Sequence, residues 1–349
     1  MNKISFRFTF TLLIAFTTLL AACSPAAATS TATQSGYPAP VITSTTGSYP
    51  APASTPTAIS YPAPQTNPAS GEIQLTDGLN RQITLKSPAQ RIISIAPSNT
   101  ELLFSVGAGA QVVGRDDFSD YPAEAVGLPS IGGSSGNYNL EAITALKPDL
   151  ILAAQINTPA QVQSMENLGL TVYYLANPTD LNGLYQNLQT VGILTGKTDQ
   201  ANSLVESLKT RAQVVADKLA SITTHPKVYY ELDATNPTKP FTAGPGSYID
   251  MLITLAGGQN IASNLSSAYP QVSSEDIISQ SPDIILLGDA AYGVTTESVG
   301  QRPGWSVINA VKNNKVSAFD DNTVSRPTAR MIDALENLAK IIHPEAFNS

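Results

Sequence analysis

The chain has 349 residues, room for two ordinary domains, with 42% hydrophobic residues and only 13% charged ones. Lys3 and Arg7 are the only charges before Glu72, and the remainder, with 17 basic against 27 acidic residues, carries a net −10. An acidic body without a basic stripe argues against a nucleic-acid binder. One cysteine and two histidines exclude a cysteine-rich zinc module, an intrachain disulfide framework and a multi-histidine metal site.

Residues 1–22 read as a signal peptide. Lys3 and Arg7 form a basic start, and Phe8 to Leu20 is an uncharged, mostly apolar run of 13 residues, short of the roughly 20 that span a bilayer. Leu20-Ala21-Ala22-Cys23 resembles the lipobox of bacterial lipoproteins, which implies that Cys23 carries acyl chains and holds the protein at the outer face of the cell membrane. Each buried methylene would contribute about 0.8 kcal/mol, and two or more chains anchor stably. Residues 23–70 read as a lipidated Pro/Ser/Thr-rich tether. From 24 to 70 there is no charge and there are nine prolines, and Tyr-Pro-Ala-Pro recurs at Tyr37, Tyr49 and Tyr61. So little apolar surface cannot offset ordering entropy, and as coil the stretch averages roughly 40 Å end to end. A wall-spanning or glycosylated spacer is the plain reading; binding to cell wall is the other.

From residue 71 onward strands and helices alternate. Arg91–Ala96 predicts a buried strand, and Thr100 is placed as the cap of a helix running through Phe104 to the glycines at 107 and 109. A strand over 111–114, a helix over 140–146 capped by Asn139, a strand over 150–154, a helix over 159–168 and a strand over 170–175 complete a first lobe, 71–177. In a linking helical segment, 178–225, Ala201, Leu204, Val205, Leu208, Ala212, Val215 and Leu219 share one helical face; a helix over 198–221 is about 36 Å long. The second lobe, 226–349, reads as strands over 227–232, 284–287 and 315–319 with helices over 247–255, 274–280, 305–311 and 328–342. Short apolar strands in this order imply mostly parallel sheets covered on both faces.

An internal echo adds to this. Glu141-Ala142-Ile143 followed by Pro148-Asp149-Leu150-Ile151-Leu152 reappears 134 residues later as Glu275-Asp276-Ile277 and Pro282-Asp283-Ile284-Ile285-Leu286. A weaker echo pairs Leu102-Leu103…Gly107-Ala108-Gly109 with Met251-Leu252…Ala256-Gly257-Gly258. Two related lobes with a cleft at the carboxyl ends of their strands follow.

Arg91-Ile-Ile-Ser-Ile-Ala-Pro97-Ser98-Asn99-Thr100-Glu101-Leu102, Asp120-Tyr121-Pro122, Asn139-Leu140-Glu141, Lys147-Pro148-Asp149, Gly257-Gly258-Gln259-Asn260-Ile261, Pro270-Gln271-Val272-Ser273-Ser274-Glu275 and Arg302-Pro303-Gly304-Trp305 occur in order over residues 72–347. Together they resemble the periplasmic-binding proteins for corrinoids and iron-siderophores. The resemblance implies an α/β fold with two Rossmann-like lobes, mostly parallel sheets, one long rigid helix between them and an interlobe cleft. It implies delivery of the ligand to an ABC importer, with Glu141 and Glu275 docking on arginines of the membrane subunits. A helix-dipole role, about 0.3–1 kcal/mol each, is the simpler use of those acids.

Gly132-Gly133-Ser134-Ser135-Gly136 matches a nucleophile elbow in letters only: no good strand precedes it and residues 137–139 delay the helix. His225 and His343 both precede prolines. No enzyme, catalytic residue, metal site or cofactor is expected, and Asp116, Asp117, Asp289, Asp320 and Asp321 read as turn acids or polar ligand contacts rather than a calcium loop. The ligand-binding candidates are Ser98, Asn99, Asp117, Phe118 and Tyr138 in the first lobe and Thr242, Tyr269, Tyr292, Asp321 and Arg326 in the second. Arg115, Arg326 and Arg330 are the few cations available to an anionic siderophore. A cobalamin-like corrinoid is the expected ligand of a monomer, a ferric siderophore or haem the alternative, and an adhesion or signalling lipoprotein the alternative of another class.

Overall fold

The computed structural model describes residues 71–134 and 136–347. The expected signal peptide, lipidated Cys23 and tether lie outside the described residues, as does Ser135. An antiparallel hairpin that the sequence reading did not resolve comes first: β1 (Ile73–Thr76) pairs with β2 (Gln82–Leu85). Its turn is built by buried Asp77, which accepts the backbone N–H groups of Leu79 and Arg81.

The first lobe contains β3 (Ile92–Ser94), α1 (Pro97–Ser105), β4 (Val112–Arg115), α2 (Ala123–Val126), α3 (Leu140–Ala145), β5 (Leu150–Ala154), α4 (Pro159–Glu166) and β6 (Val172–Leu175). Its four strands are all parallel, in the order β4-β3-β5-β6. Every residue of β3, β5 and β6 is buried, as a sheet covered on both faces requires. The expected cap at Thr100 is corrected. The helix α1 begins at Pro97, where a fixed φ suits the first helical position and a missing N–H costs nothing. Thr100 lies inside it, its hydroxyl within 2.8 Å of Ser94 Oγ and 2.7 Å of Ser119 Oγ.

The linking segment is two helices, α5 (Leu181–Thr195) and α6 (Thr198–Leu219). At 22 residues α6 is about 33 Å long. The expected stripe from Ala201 to Leu219 packs into a core that continues through both lobes, from Leu150 and Leu188 on one side to Ile253 and Leu338 on the other.

The second lobe contains β7 (Lys227–Asp233), β8 (Phe241–Thr242), α7 (Tyr248–Leu255), β9 (Gln259–Asn260), α8 (Ser274–Gln280), β10 (Ile284–Leu287), α9 (Thr296–Gly300), α10 (Asn309–Lys312), β11 (Val316–Ala318), α11 (Asn322–Ser325) and α12 (Arg330–Ile342). The order is β11-β10-β7-β8, with β9 also on β7; only β8 runs antiparallel. The helix expected over 305–311 is instead a 3₁₀ turn, Trp305–Val307, and α10, separated by extended Ile308. Buried Trp305 donates its Nε1–H to Ser274 Oγ at 2.7 Å, and the Asn309 N–H turns to Ser281 Oγ at 3.0 Å. Arg211 on α6 clasps Glu336 (2.8 Å) and Asp333 (2.6 Å) on α12.

The 134-residue echo is structural. Lys147 and Ser281 both take left-handed backbone conformations where α3 and α8 stop. Asp149 then accepts the N–H groups of Gln90 (2.8 Å) and Arg91 (2.9 Å), just ahead of β3, and Asp283 accepts that of Lys227 (2.9 Å), the first residue of β7. Each Pro-Asp thus pins the start of the neighbouring central strand. The weaker echo shifts by one residue, to an offset of 150. Gly107 (φ 80°) and Gly257 (φ 81°) occupy the same place in two Schellman turns, closed by Ala108 N–H to Leu103 O (2.8 Å) and Gly258 N–H to Ile253 O (2.9 Å).

Removing either clamp leaves backbone donors at a strand end without their acceptor. Asp149→Ala and Asp283→Ala are each expected to lower unfolding free energy by about 1–3 kcal/mol in urea titrations. A change below about 0.5 kcal/mol in both would show that the repeated aspartates do not hold the strands.

Candidate ligand cleft

In a parallel sheet the loops that leave the carboxyl ends of the strands meet on one side. Here they include residues 116–122 after β4, 155–158 after β5, 288–292 after β10 and 319–326 after β11. The helices α3 and α8 run back before β5 and β10, so their N-termini stand on the same side. Glu141 and Glu275 occupy the second position of these helices, exposed, beside Asn139 and Ser273, whose side chains accept the N–H groups of Ala142 (2.9 Å) and Asp276 (3.1 Å).

Three predicted residues present open aromatic surface: Phe118 (56% exposed) and Tyr292 (89%) on these loops, and Tyr269 (52%) in the segment between β9 and α8. Tyr269 belongs to the segment that hydrogen-bonds β8, through Pro270 O and Thr242 N–H (2.9 Å). Desolvation first, and Asp321 second, raise its pKa although half of its surface is open.

Most of the other predicted residues are engaged by contacts within the protein. Asn99 is buried and donates from Nδ2 to Leu152 O at 3.0 Å, tying α1 to β5. Thr242 is buried and donates to Tyr230 O at 2.7 Å. Through these atoms both side chains satisfy the framework's own backbone. The Tyr138 hydroxyl donates to Ile95 O (2.9 Å) and accepts from Asn157 Nδ2 (2.7 Å), and burial pushes its pKa up to about 12. Asp117 is exposed, accepting the Ser130 hydroxyl and the Ser134 N–H (3.1 Å); those bonds, Ser130 first, hold its pKa below the usual range and fasten the glycine-rich loop. Ser98 is half-buried in the first turn of α1. Asp321 accepts the hydroxyls of Tyr230 (3.0 Å) and Ser325 (2.7 Å). Asp116 and Asp320 accept the N–H two residues ahead, from Phe118 (2.9 Å) and Asn322 (3.1 Å), as turn acids do.

Arg326 is committed to the protein itself. Its Nη1 meets Glu101 Oε1 at 3.0 Å and Asp120 Oδ1 at 2.6 Å. Arg330 binds the same Glu101 through Nε (2.8 Å) and Nη2 (2.5 Å), and its guanidinium lies 4.1 Å from the centre of the Tyr121 ring. Glu101, on α1, is the residue sequence reasoning missed, and its signal was a carboxylate heading the apolar run Leu102-Leu103-Phe104. The arginine–glutamate cluster also walls a cavity of about 610 Å³ on the α6 side, lined in part by Phe104, Leu204 and Leu208.

A second buried charge group lies under the β10 loop. Arg302 pairs with Glu231 through Nη1 (2.5 Å) and Nη2 (2.7 Å). Asp289, 4% exposed, accepts the Ala234 N–H at 3.0 Å through Oδ2, while Oδ1 has no partner among the described residues. Desolvation first, and Glu231 second, raise its pKa to about 6. An acid whose pKa is raised by folding favours the folded state when protonated, so this contribution is present below about pH 4 and is lost as pH rises through about 6. Asp289→Asn is expected to flatten that part of the stability profile, worth about 1–3 kcal/mol, in thermal melts from pH 4 to 8. An unchanged slope in the variant would remove Asp289 as its source.

The pattern of the periplasmic binding protein family matches residues 92–323. A cobalamin-binding protein of Halobacterium salinarum is 31% identical over 274 residues, 76% of this chain and 73% of that protein. YvrC of Bacillus subtilis, named as an uncharacterised ABC transporter substrate-binding lipoprotein, is 29% identical over 278 residues, 79% of this chain and 87% of its own length. Among solved structures, the periplasmic vitamin B12 binding protein BtuF of Vibrio cholerae superposes with a TM-score of 0.63 at 28% identity, covering 75% of this chain and 99% of BtuF. A possible iron-binding periplasmic protein of Staphylococcus epidermidis gives 0.64 at 28% identity, covering 74% of this chain and all of that one. With two parallel-sheet lobes and the ordered motifs in place, the chain belongs to the periplasmic binding protein family, the substrate-binding proteins of ABC importers.

Proposed function

We propose that this protein is lipid-anchored through Cys23 and captures a corrinoid in the interlobe cleft for delivery to the membrane subunits of an ABC importer. The observation that carries the ligand class is the pair of exposed rings Phe118 and Tyr269, one from each lobe, with Tyr292 beside the second lobe's strand ends. Large open aromatic surfaces suit a broad, mostly uncharged ligand, because they give contact area at low entropy cost. The arginines Arg326 and Arg330 already hold carboxylates of the protein, which favours a neutral corrinoid over an anionic ferric siderophore. Relatives named as cobalamin- and vitamin B12-binding proteins support the same reading.

Phe118→Ala and Tyr269→Ala are each expected to weaken cyanocobalamin binding tenfold or more, about 1–3 kcal/mol, in calorimetric titrations. Wild-type affinity in both folded variants would take the rings out of the site.

Glu141 and Glu275 are proposed to dock the loaded protein. Equivalent positions in two lobes allow a two-fold membrane partner to be engaged at both ends, and the second contact becomes intramolecular. Each charge-assisted contact is worth about 1.5–3 kcal/mol. In reconstituted vesicles one alanine substitution is expected to slow uptake and the double substitution to nearly abolish it, with ligand affinity kept. Full transport by the double variant would leave the two acids only their helix-dipole role.

A further inference from the structure

The cluster joining the lobes contains two guanidinium groups, Arg326 and Arg330, and three carboxylates, Glu101, Asp120 and Asp320, with Arg330 Nη1 3.8 Å from Asp320 Oδ2. Only Glu101 touches both arginines, and its side chain is 3% exposed, against 60% for Asp120 and for Asp320. A carboxylate so buried loses hydration that only its partners replace. The two arginines sit in the carboxyl-end loop after β11 and at the start of α12, and Arg326 reaches the carboxyl-end loop after β4 through Asp120. Without Glu101 they would offer the cleft floor a cationic fork suited to carboxylate, catecholate or phosphate oxygens.

We propose that Glu101 is a specificity-determining positioning residue: by binding both Arg326 and Arg330 it closes the cleft to anionic ligands and leaves it open to neutral ones. This rests on the reading of the interlobe cleft as the ligand site. Asp120 contributes in the same sense from the rim, where it holds Arg326 alone. A role confined to lobe packing would make loss of Glu101 weaken every ligand; the charge role makes it strengthen the binding of one class.

The test titrates the ferric enterobactin trianion into the full chain, wild type, Glu101→Gln and Asp120→Asn, by calorimetry at low and high salt. Glu101→Gln is expected to raise affinity for the trianion about ten- to hundredfold, the equivalent of one charge-assisted contact. The gain should shrink in about 0.5 M salt as the charges are screened. Asp120→Asn should give a smaller gain of the same sign, and it decides the matter if circular dichroism shows Glu101→Gln unfolded. Trianion affinity at or below wild type in the folded variants overturns the proposal. Cyanocobalamin titrated into wild type alone tests the functional reading, so the two fail separately.

Discussion

One carboxylate bridges the two halves of this molecule. Glu101 rises from the first lobe's leading helix, is almost wholly buried, and is held by two arginines of the second lobe. Breaking such a pair by removing one partner typically costs about 3–5 kcal/mol, because the charges left behind are stranded away from water. The position of the lobes at the cleft is therefore tied to an interaction that cannot be relaxed piecemeal. Next to this cluster α6 lies in a core shared by both lobes and is tied to α12 through Arg211. A continuous helix and a buried ionic cluster joining the lobes are expected to restrict closure relative to a softly hinged cleft.

That frame explains the division of labour among the cleft residues. The polar side chains nearest the strand ends, Asn99, Thr242 and Asp321, serve backbone and neighbouring hydroxyls. The rings of Phe118, Tyr269 and Tyr292 stay open, alongside the carboxylates of Asp117, Asp120 and Asp320. The two lobes also share their internal fastening, with Asp149 and Asp283 clamping central strands from equivalent positions. Glu141 and Glu275 inherit equivalent placement from that shared architecture, which is the physical basis for the proposed docking at two points.

Much of the fold was legible because its signals are local. Buried parallel strands read as continuous apolar runs, so 150–154 and 284–287 were placed to the residue. The α6 stripe followed from helical spacing, and Asn139 from its place ahead of an apolar helix. Short elements were illegible: the hairpin from Ile73 to Leu85 depends on the Asp77 turn and on packing against a distant strand, through Tyr173 Oη to Thr76 O at 3.0 Å. The site was less readable than the fold. A loop position says that Asn99 or Thr242 is near the strand ends, but which way its polar atom turns depends on a carbonyl fifty or a dozen residues away. Arg326 looked available because its partners, Glu101 and Asp120, lie more than two hundred residues earlier.

The measurement closest to the central claim is equilibrium dialysis of the purified chain against cyanocobalamin, haem and a ferric tris-catecholate, read by visible absorption. A cleft of open rings with its arginines internally paired should retain one equivalent of cyanocobalamin and the least of the tris-catecholate. Retention of haem or the tris-catecholate, with cyanocobalamin passing freely, would contradict the account.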